Sequence, residues 1–177
     1  MDYTAHYISP LGGITLAGDG DALTGLWFDG QKYFGDTLSA DHTEKDLPVF
    51  RQTAHWLDLY FSGTDPGFTP PLLLRASDFR KTVWGILLTI PYGRTITYGE
   101  IAAILSAERG TAKMSAQAVG NAVGHNPVSL IIPCHRVIGK NGSLTGYAGG
   151  IDKKRRLLAL EGVDLDGPAF PKSIVRP

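Results

Sequence analysis

The sequence predicts an α+β chain in two parts, strands first and helices after, and three observations carry that prediction. Short β-branched or aromatic runs fill residues 3–28, apolar residues recur at helical spacing from residue 79 onward, and a Gly-, Pro- and Thr-rich stretch with neither period, residues 62–71, lies between them. The length, 177 residues, stands between one domain and two, and 43% hydrophobic residues can bury a substantial core, which excludes disordered and fibrous readings.

Residues 3–9, 13–17 and 22–28 read as strands of an antiparallel meander, because Pro10-Leu11-Gly12-Gly13 and Gly18-Asp19-Gly20-Asp21 supply the turns between them. A helix follows, with Phe50, Ala54, Leu57 and Phe61 on one face, and it ends at Ser62-Gly63. The boundary stretch then divides the chain into domains 1–75 and 76–177. Ser77 or Asp78 can cap the next helix, whose stripe of Phe79, Val83, Ile86, Leu87 and Ile90 is stopped by Pro91. Thr97 and Glu100 stand three apart as a capping box, turning Ile101, Ile104 and Leu105 toward the core. A third helix of this second part is expected over 115–124, and a last one over 152–161. The second and third of these helices form a candidate helix-turn-helix, with Asn141-Gly142-Ser143 as a hairpin wing.

The chain opens with no basic segment leading into an apolar one, and no apolar run approaches the roughly 18 residues of a membrane span, so the expectation is a soluble cytoplasmic protein. The lone cysteine, Cys134, cannot form an internal disulfide or a multi-thiolate zinc site and must act as a thiol, which fits a reducing compartment. Net charge is zero, but residues 1–75 hold 4 Lys and Arg against 10 Asp and Glu, whereas the remainder holds 13 against 7. The basic second part matches the electrostatic footprint of a polyanion partner; a chance split of solvated faces is the alternative. The third helix is nearly free of bulk, with Ala116, Ala118, Gly120, Ala122 and Gly124. Something must approach its backbone, either a neighbouring helix or a nucleic acid.

Chemistry concentrates where the apolar run 127–133 ends in Cys134, His135 and Arg136. By residue type alone such a cysteine is an inert small hydrophobe. Histidine and arginine beside it need partners in a cleft, and a positive environment favours the nucleophilic thiolate. In an extended segment His135 would face away from Cys134, so a local bend or a bridging water must connect them. A histidine base needs an acidic group to orient it, and Glu161 is the candidate: it closes a helix just before Gly162, where the dipole disfavours a negative charge. A solvated surface glutamate is the bland alternative.

The segment from Ile132 to Val137, preceded by Gly124-His125-Asn126-Pro127, resembles the O6-alkylguanine-DNA alkyltransferases, the methylated-DNA–protein-cysteine methyltransferases. The resemblance extends through Pro91-Tyr92-Gly93, Thr97-Tyr98-Gly99-Glu100, Ala118-Val119-Gly120-Asn121 and Gly146-Tyr147-Ala148-Gly149-Gly150 to Leu160-Glu161-Gly162. It implies a small N-terminal α/β domain of the ribonuclease H-like kind and a C-terminal winged helix-turn-helix alkyltransferase domain. It also implies direct, irreversible transfer of an alkyl group from O6 of guanine to Cys134 in one turnover, without cofactor or metal, with O4 of thymine as a second target left open. Carried over residue by residue, Cys134 is the acceptor, and His135, through a water, and Glu161 form the relay that deprotonates it. Asn126 braces the turn, and Tyr98 rotates the phosphate and helps protonate the leaving base. Gln117, Ala118, Gly120, Tyr147, Ala148, Arg136 and Val137 fall to substrate and DNA binding. The implied partner is double-stranded DNA bearing O6-alkylguanine, met by a monomer, with cooperative assembly on DNA left open.

Two positions depart from the family pattern. Gln117 stands where many members have an arginine that fills the space of the flipped base, which predicts weaker DNA affinity or slower flipping. Ala148 replaces a serine, but its backbone donor survives. Two rival readings are a cysteine-dependent acyl transferase or hydrolase, which would turn over, and a sensor that binds alkylguanine without removing the alkyl group; relatives of the sensor kind lack the cysteine.

Overall fold

The computed structural model describes residues 1–110, 114–144 and 146–167 and divides into two compact units. Residues 111–113, between the two helices of the expected helix-turn-helix, and 168–177, at the end of the expected second domain, lie outside the described residues. The first unit comprises Met1–Arg75 together with Pro127–Ile131, and the second comprises the rest. The five residues 127–131, assigned by sequence to the second domain, thus cluster with the first.

In the first unit, strands β1 (Asp2–Ser9), β2 (Gly12–Gly18) and β3 (Leu23–Phe28) form the expected meander, with register running from Tyr3 opposite Gly18 to Ser9 opposite Gly12. Every residue of β3 is buried, and Gly25 is required there: a Cβ would lie 2.0 Å from the Trp27 indole on the same face of the strand. A fourth strand, β4 (His42–Glu44), pairs parallel to β1. Its three residues are all exposed, so it carries no apolar signal in the sequence. Asp2, only 1% exposed, accepts both guanidinium nitrogens of Arg75 at 2.9 Å and the Ser39 amide at 2.8 Å.

Helix α1 (Pro48–Phe61), with Pro48 in its first turn, packs on β1 and β2 through Val49, Phe50, Thr53, Trp56, Leu57 and Tyr60. The buried face is wider than the expected stripe: Ala54 and Phe61 flank it, and Trp56 stacks on Tyr60 at 5.2 Å. The outer edge of β3 is covered by two short segments, through bridges from Leu23 to Leu72 and from Leu26 to Val128.

In the second unit, Ser77 caps α2 (Asp78–Leu87) by accepting the Arg80 amide. Trp84, absent from the expected stripe, is buried and donates its indole N–H to the Ala122 carbonyl at 2.8 Å. The capping box of Thr97 and Glu100 opens α3 (Tyr98–Arg109) as expected. Ile104, however, is 38% exposed, and Ala102 takes the core position instead. Ser115 caps α4 (Ala116–Gly124), which packs against α2 and α3. Among the described residues, Asn141-Gly142-Ser143 forms no hairpin wing. It closes a turn in which Gly139 N–H donates to Ser143 O at 2.7 Å. Among the described residues, the strand before it, β6 (Val137–Ile138), pairs parallel with β5 (Ile96–Thr97). The last helix, α5 (Ile151–Leu160), stops one residue short of the expected end, leaving Glu161 as its C-cap. No helix among the described residues is long and apolar enough to cross a membrane.

Candidate active site

The segment carrying Cys134 is a turn. Asn126 donates its side-chain amide to the Ile132 carbonyl at 2.7 Å, and the same carbonyl accepts the Cys134 N–H at 2.8 Å around Pro133. Cys134–Arg136 then make one 3-10 turn. Successive side chains in such a turn fan out by about 120°, so the alternation expected of a strand does not apply. Cys134 is 6% exposed, and His135 and Arg136 are buried beside it.

Glu161 is buried where a helix end disfavours its charge, and four hydrogen bonds compensate. Its Oε1 lies 2.6 Å from His135 Nε2 and 2.9 Å from an Arg136 terminal nitrogen; its Oε2 accepts Arg136 Nε at 2.8 Å and the Gly93 amide at 3.0 Å. Burial by itself would raise the carboxyl's pKa, but His135 and Arg136 outweigh it and hold Glu161 down at about 2. Burial depresses the pKa of His135, with Glu161 opposing. Since Glu161 is ionised, His135 carries its proton on Nε2, which leaves Nδ1 as the basic nitrogen of a neutral ring. Arg136 directs its remaining terminal nitrogen to the Ile90 carbonyl at 2.7 Å. Gly93 has a φ of +76°, and a Cβ there would lie 2.9 Å from the Glu161 carbonyl oxygen, so only glycine lets this backbone reach the carboxylate.

Burial pushes the Cys134 thiol's pKa up, while the Asn126 side chain and the charge of Lys154 pull it back. Lys154 is a buried charge of this site that the sequence does not single out. Its side chain is 0% exposed, Nζ donates to the Val137 carbonyl at 2.5 Å, and burial brings its pKa down to about 8, with Cys134 opposing. A signal did exist: Lys154, Leu157, Leu158 and Glu161 share one face of the last helix, and both charged groups lie on its apolar stripe.

Two tyrosines complete the site. Burial raises Tyr98 to about 12, with Cys134 adding to the shift, and its hydroxyl donates to the Gly146 carbonyl at 3.5 Å. Tyr147 sits edge-on to His135 at 6.5 Å, and its buried hydroxyl has no hydrogen-bond partner among the described residues. A ligand acceptor or donor can therefore use that hydroxyl.

The remaining expected site residues divide. Gln117 is exposed on the first turn of α4, and Ala118, Gly120 and Ala148 are not fully buried. Of the two expected to bind DNA beside Cys134, Val137 is fully buried, and the Arg136 guanidinium is hydrogen-bonded to Glu161 and Ile90. Arg136 thereby holds the acid in place. The glycines of α4 are not demanded by internal packing, because a Cβ at Gly120 would meet the Tyr98 ring at an ordinary 3.9 Å and one at Gly124 would meet nothing within 4 Å. His125 closes the helix, its Nδ1 hydrogen-bonded to the Asn121 carbonyl at 2.8 Å.

Residues 3–74 match the ribonuclease-like domain of 6-O-methylguanine DNA methyltransferase, and residues 78–163 match its DNA binding domain. The methylated-DNA–protein-cysteine methyltransferase of Mycobacterium tuberculosis is 48% identical over 86% of this chain and 88% of its own length. That of Methanosarcina acetivorans is 45% identical over 90% and 98%. In structure, Mycobacterium tuberculosis OGT in complex with DNA superposes with a TM-score of 0.77 at 46% identity, covering 90% of this chain and 92% of that one. With both units matched and the relatives covered nearly end to end, the chain belongs to the methylated-DNA–protein-cysteine methyltransferase family.

Proposed function

We propose that this protein repairs alkylated DNA by moving the alkyl group from O6 of guanine, with O4 of thymine a further target, onto Cys134, once per molecule. The observation that carries this reading is a nearly buried thiol placed next to a histidine whose Nε2 is fixed by an ionised, arginine-clamped carboxylate. His135 Nδ1, acting through a water, takes the Cys134 proton, and Glu161 stabilises the imidazolium. The thiolate sulfur then attacks the alkyl carbon. A C–S bond forms as the C–O bond breaks, and the electron pair leaves on the guanine oxygen while the base regains a proton, a step that Tyr98 assists. The product is a thioether, which no protein group reverses, so the protein is consumed.

Reaching a base in a duplex requires flipping it out of the stack. Helix α4 suits that task because its Ala and Gly surface lets a groove approach closely and its glycines have no internal reason to be there. Gln117, on its exposed first turn, fills the vacated space, and Tyr147 and Ala148 line the pocket for the flipped base. We read the working form as a cytoplasmic monomer on duplex DNA. The test is an intact mass and peptide map after incubation with an O6-methylguanine duplex. One added methyl group, about 14 Da, confined to Cys134 and saturating at one per molecule, is the expected result. Lesion binding with no mass change would instead make the protein a sensor, and repeated turnover would make it a hydrolase or acyl transferase.

A further inference from the structure

The segment just before the active-site turn is held by the first unit. Leu26 N–H donates to the Pro127 carbonyl at 2.9 Å, and Ser129 N–H donates to the Leu26 carbonyl at 2.9 Å, so Pro127–Ser129 lies along β3 like a short extra strand. A side chain adds to this backbone grip. The Gln31 carbonyl oxygen, Oε1, accepts the Phe28 N–H at 2.9 Å and the Ser129 hydroxyl at 3.3 Å, joining the end of β3 to the segment with one atom.

The backbone immediately after Ser129 is strained, and the grip restrains it. Leu130 has a φ of +70°, and Ile131 N–H donates back to the Ser129 carbonyl at 2.8 Å, which defines the rare form of γ-turn, unfavourable for any residue with a side chain. Leu130 is 1% exposed and cannot relax outward without leaving its core position. A strained turn persists only where its surroundings overdetermine it, and the bonds on Pro127 and Ser129 are the restraints on its N-terminal side. One residue past Ile131, the Ile132 carbonyl is the acceptor that both Asn126 and the Cys134 amide use. The direction in which the chain leaves the Leu130 turn therefore sets the carbonyl on which the cysteine is built.

We propose that Gln31 is a positioning residue for Cys134, holding Ser129 so that the Leu130 turn stays wound and the Cys134 thiol keeps its aim. This rests on the alkyl-transfer reading above and gives the first unit a part in the reaction. The test compares wild type with Gln31→Leu, Gln31→Glu, Ser129→Ala and the Gln31→Leu, Ser129→Ala double variant. Single-turnover methyl transfer from an O6-methylguanine duplex is measured alongside duplex affinity and melting temperature. Gln31→Leu slows transfer about tenfold, equivalent to ~1.4 kcal/mol, while affinity stays within about twofold. Gln31→Glu keeps an acceptor oxygen at the same reach and returns the rate to within about threefold of wild type. Ser129→Ala alone slows transfer about threefold, and the double variant is no slower than Gln31→Leu by more than about twofold, because both substitutions break one link. Unchanged transfer in Gln31→Leu, or failure of Gln31→Glu to restore it, overturns the proposal, as does a parallel fall in rate and affinity. If Gln31→Leu does not fold, an unchanged rate in Ser129→Ala overturns it. A wild-type protein that transfers no methyl group in the same assay refutes the functional reading instead.

Discussion

At the scale of single residues, the site is an arrangement of buried charges, and Lys154 is the least favourable of them. Its pKa is held at about 8 against an ordinary 10.5, so between those values the folded state has released a proton that the unfolded state keeps. Below pH 8 the buried charge therefore destabilises the fold in full, by roughly 3 kcal/mol, and the penalty fades as pH rises to 10.5. Lys154→Met is expected to raise the melting temperature at pH 7, with the gain vanishing toward pH 10.5. It should also slow methyl transfer at pH 7 by at least roughly tenfold and move the rate profile to higher pH, because the thiolate loses a nearby cation. A variant that is both less stable and equally active at neutral pH would refute this role for the lysine. Gln117→Arg is the complementary substitution on the DNA side, adding a charge and a stacking plane to an exposed position. Tighter duplex binding or faster flipping is expected, readable by titration and by fluorescence of a base analogue opposite the lesion; no change in either would remove Gln117 from the flipping step.

At the scale of elements, the proposed role of α4 exchanges helix stability for access to its backbone. An interior glycine costs a helix about 1 kcal/mol relative to alanine, and Gly120 has room for a Cβ at 3.9 Å from Tyr98. Gly120→Ala should thus stabilise the protein by ~0.5–1 kcal/mol in urea unfolding while weakening duplex binding, since the added methyl group occupies space a groove would use. If binding is unaffected, this face of α4 does not approach DNA. Much of the element level was legible in sequence: the meander, the Thr97–Glu100 capping box and the Ser77 cap depend on neighbours within a few residues. The misreadings at Ala54, Phe61 and Ile104 share one cause, since periodicity locates a stripe but not its width or its centre, which the facing surface decides. The hairpin wing, missing among the described residues, fails for a related reason. Asn-Gly announces a turn, but a hairpin also needs a second strand to pair with the first, and β6 pairs with β5.

At the scale of the whole molecule, acid stability reflects the buried ionisable groups. Glu161 falls from 4.5 to about 2 on folding, and Asp2 is also lowered from 3.8, chiefly by its Arg75 hydrogen bonds. Both contribute stability that is complete above their unfolded values and lost as pH falls through the folded ones. His135 acts in the same direction at higher pH: its pKa is depressed below 6.5 by burial, so the unfolded chain gains a proton that the folded one refuses. Urea midpoints should accordingly decline below pH 6.5 and fall more steeply below pH 4.5. A flat profile between pH 7 and 4 would show that these groups are not linked to folding.

The sequence by itself determined the local and chemical features of this protein: the three strands of its meander, the Ser77 cap and the Thr97–Glu100 capping box, its family, and a cysteine followed by histidine with a distant glutamate to match. These are legible because they rest on neighbouring residues or on residue types that have few other uses. Only the tertiary structure decided that Arg136 clamps Glu161, that Gly93 must be glycine, that Lys154 is buried with its charge acting on Cys134, and that 127–131 belongs with β3. Each of those depends on groups far apart in the sequence being packed together. Which partner a buried charge or an open strand edge finds is set by packing, and packing leaves no period in the sequence.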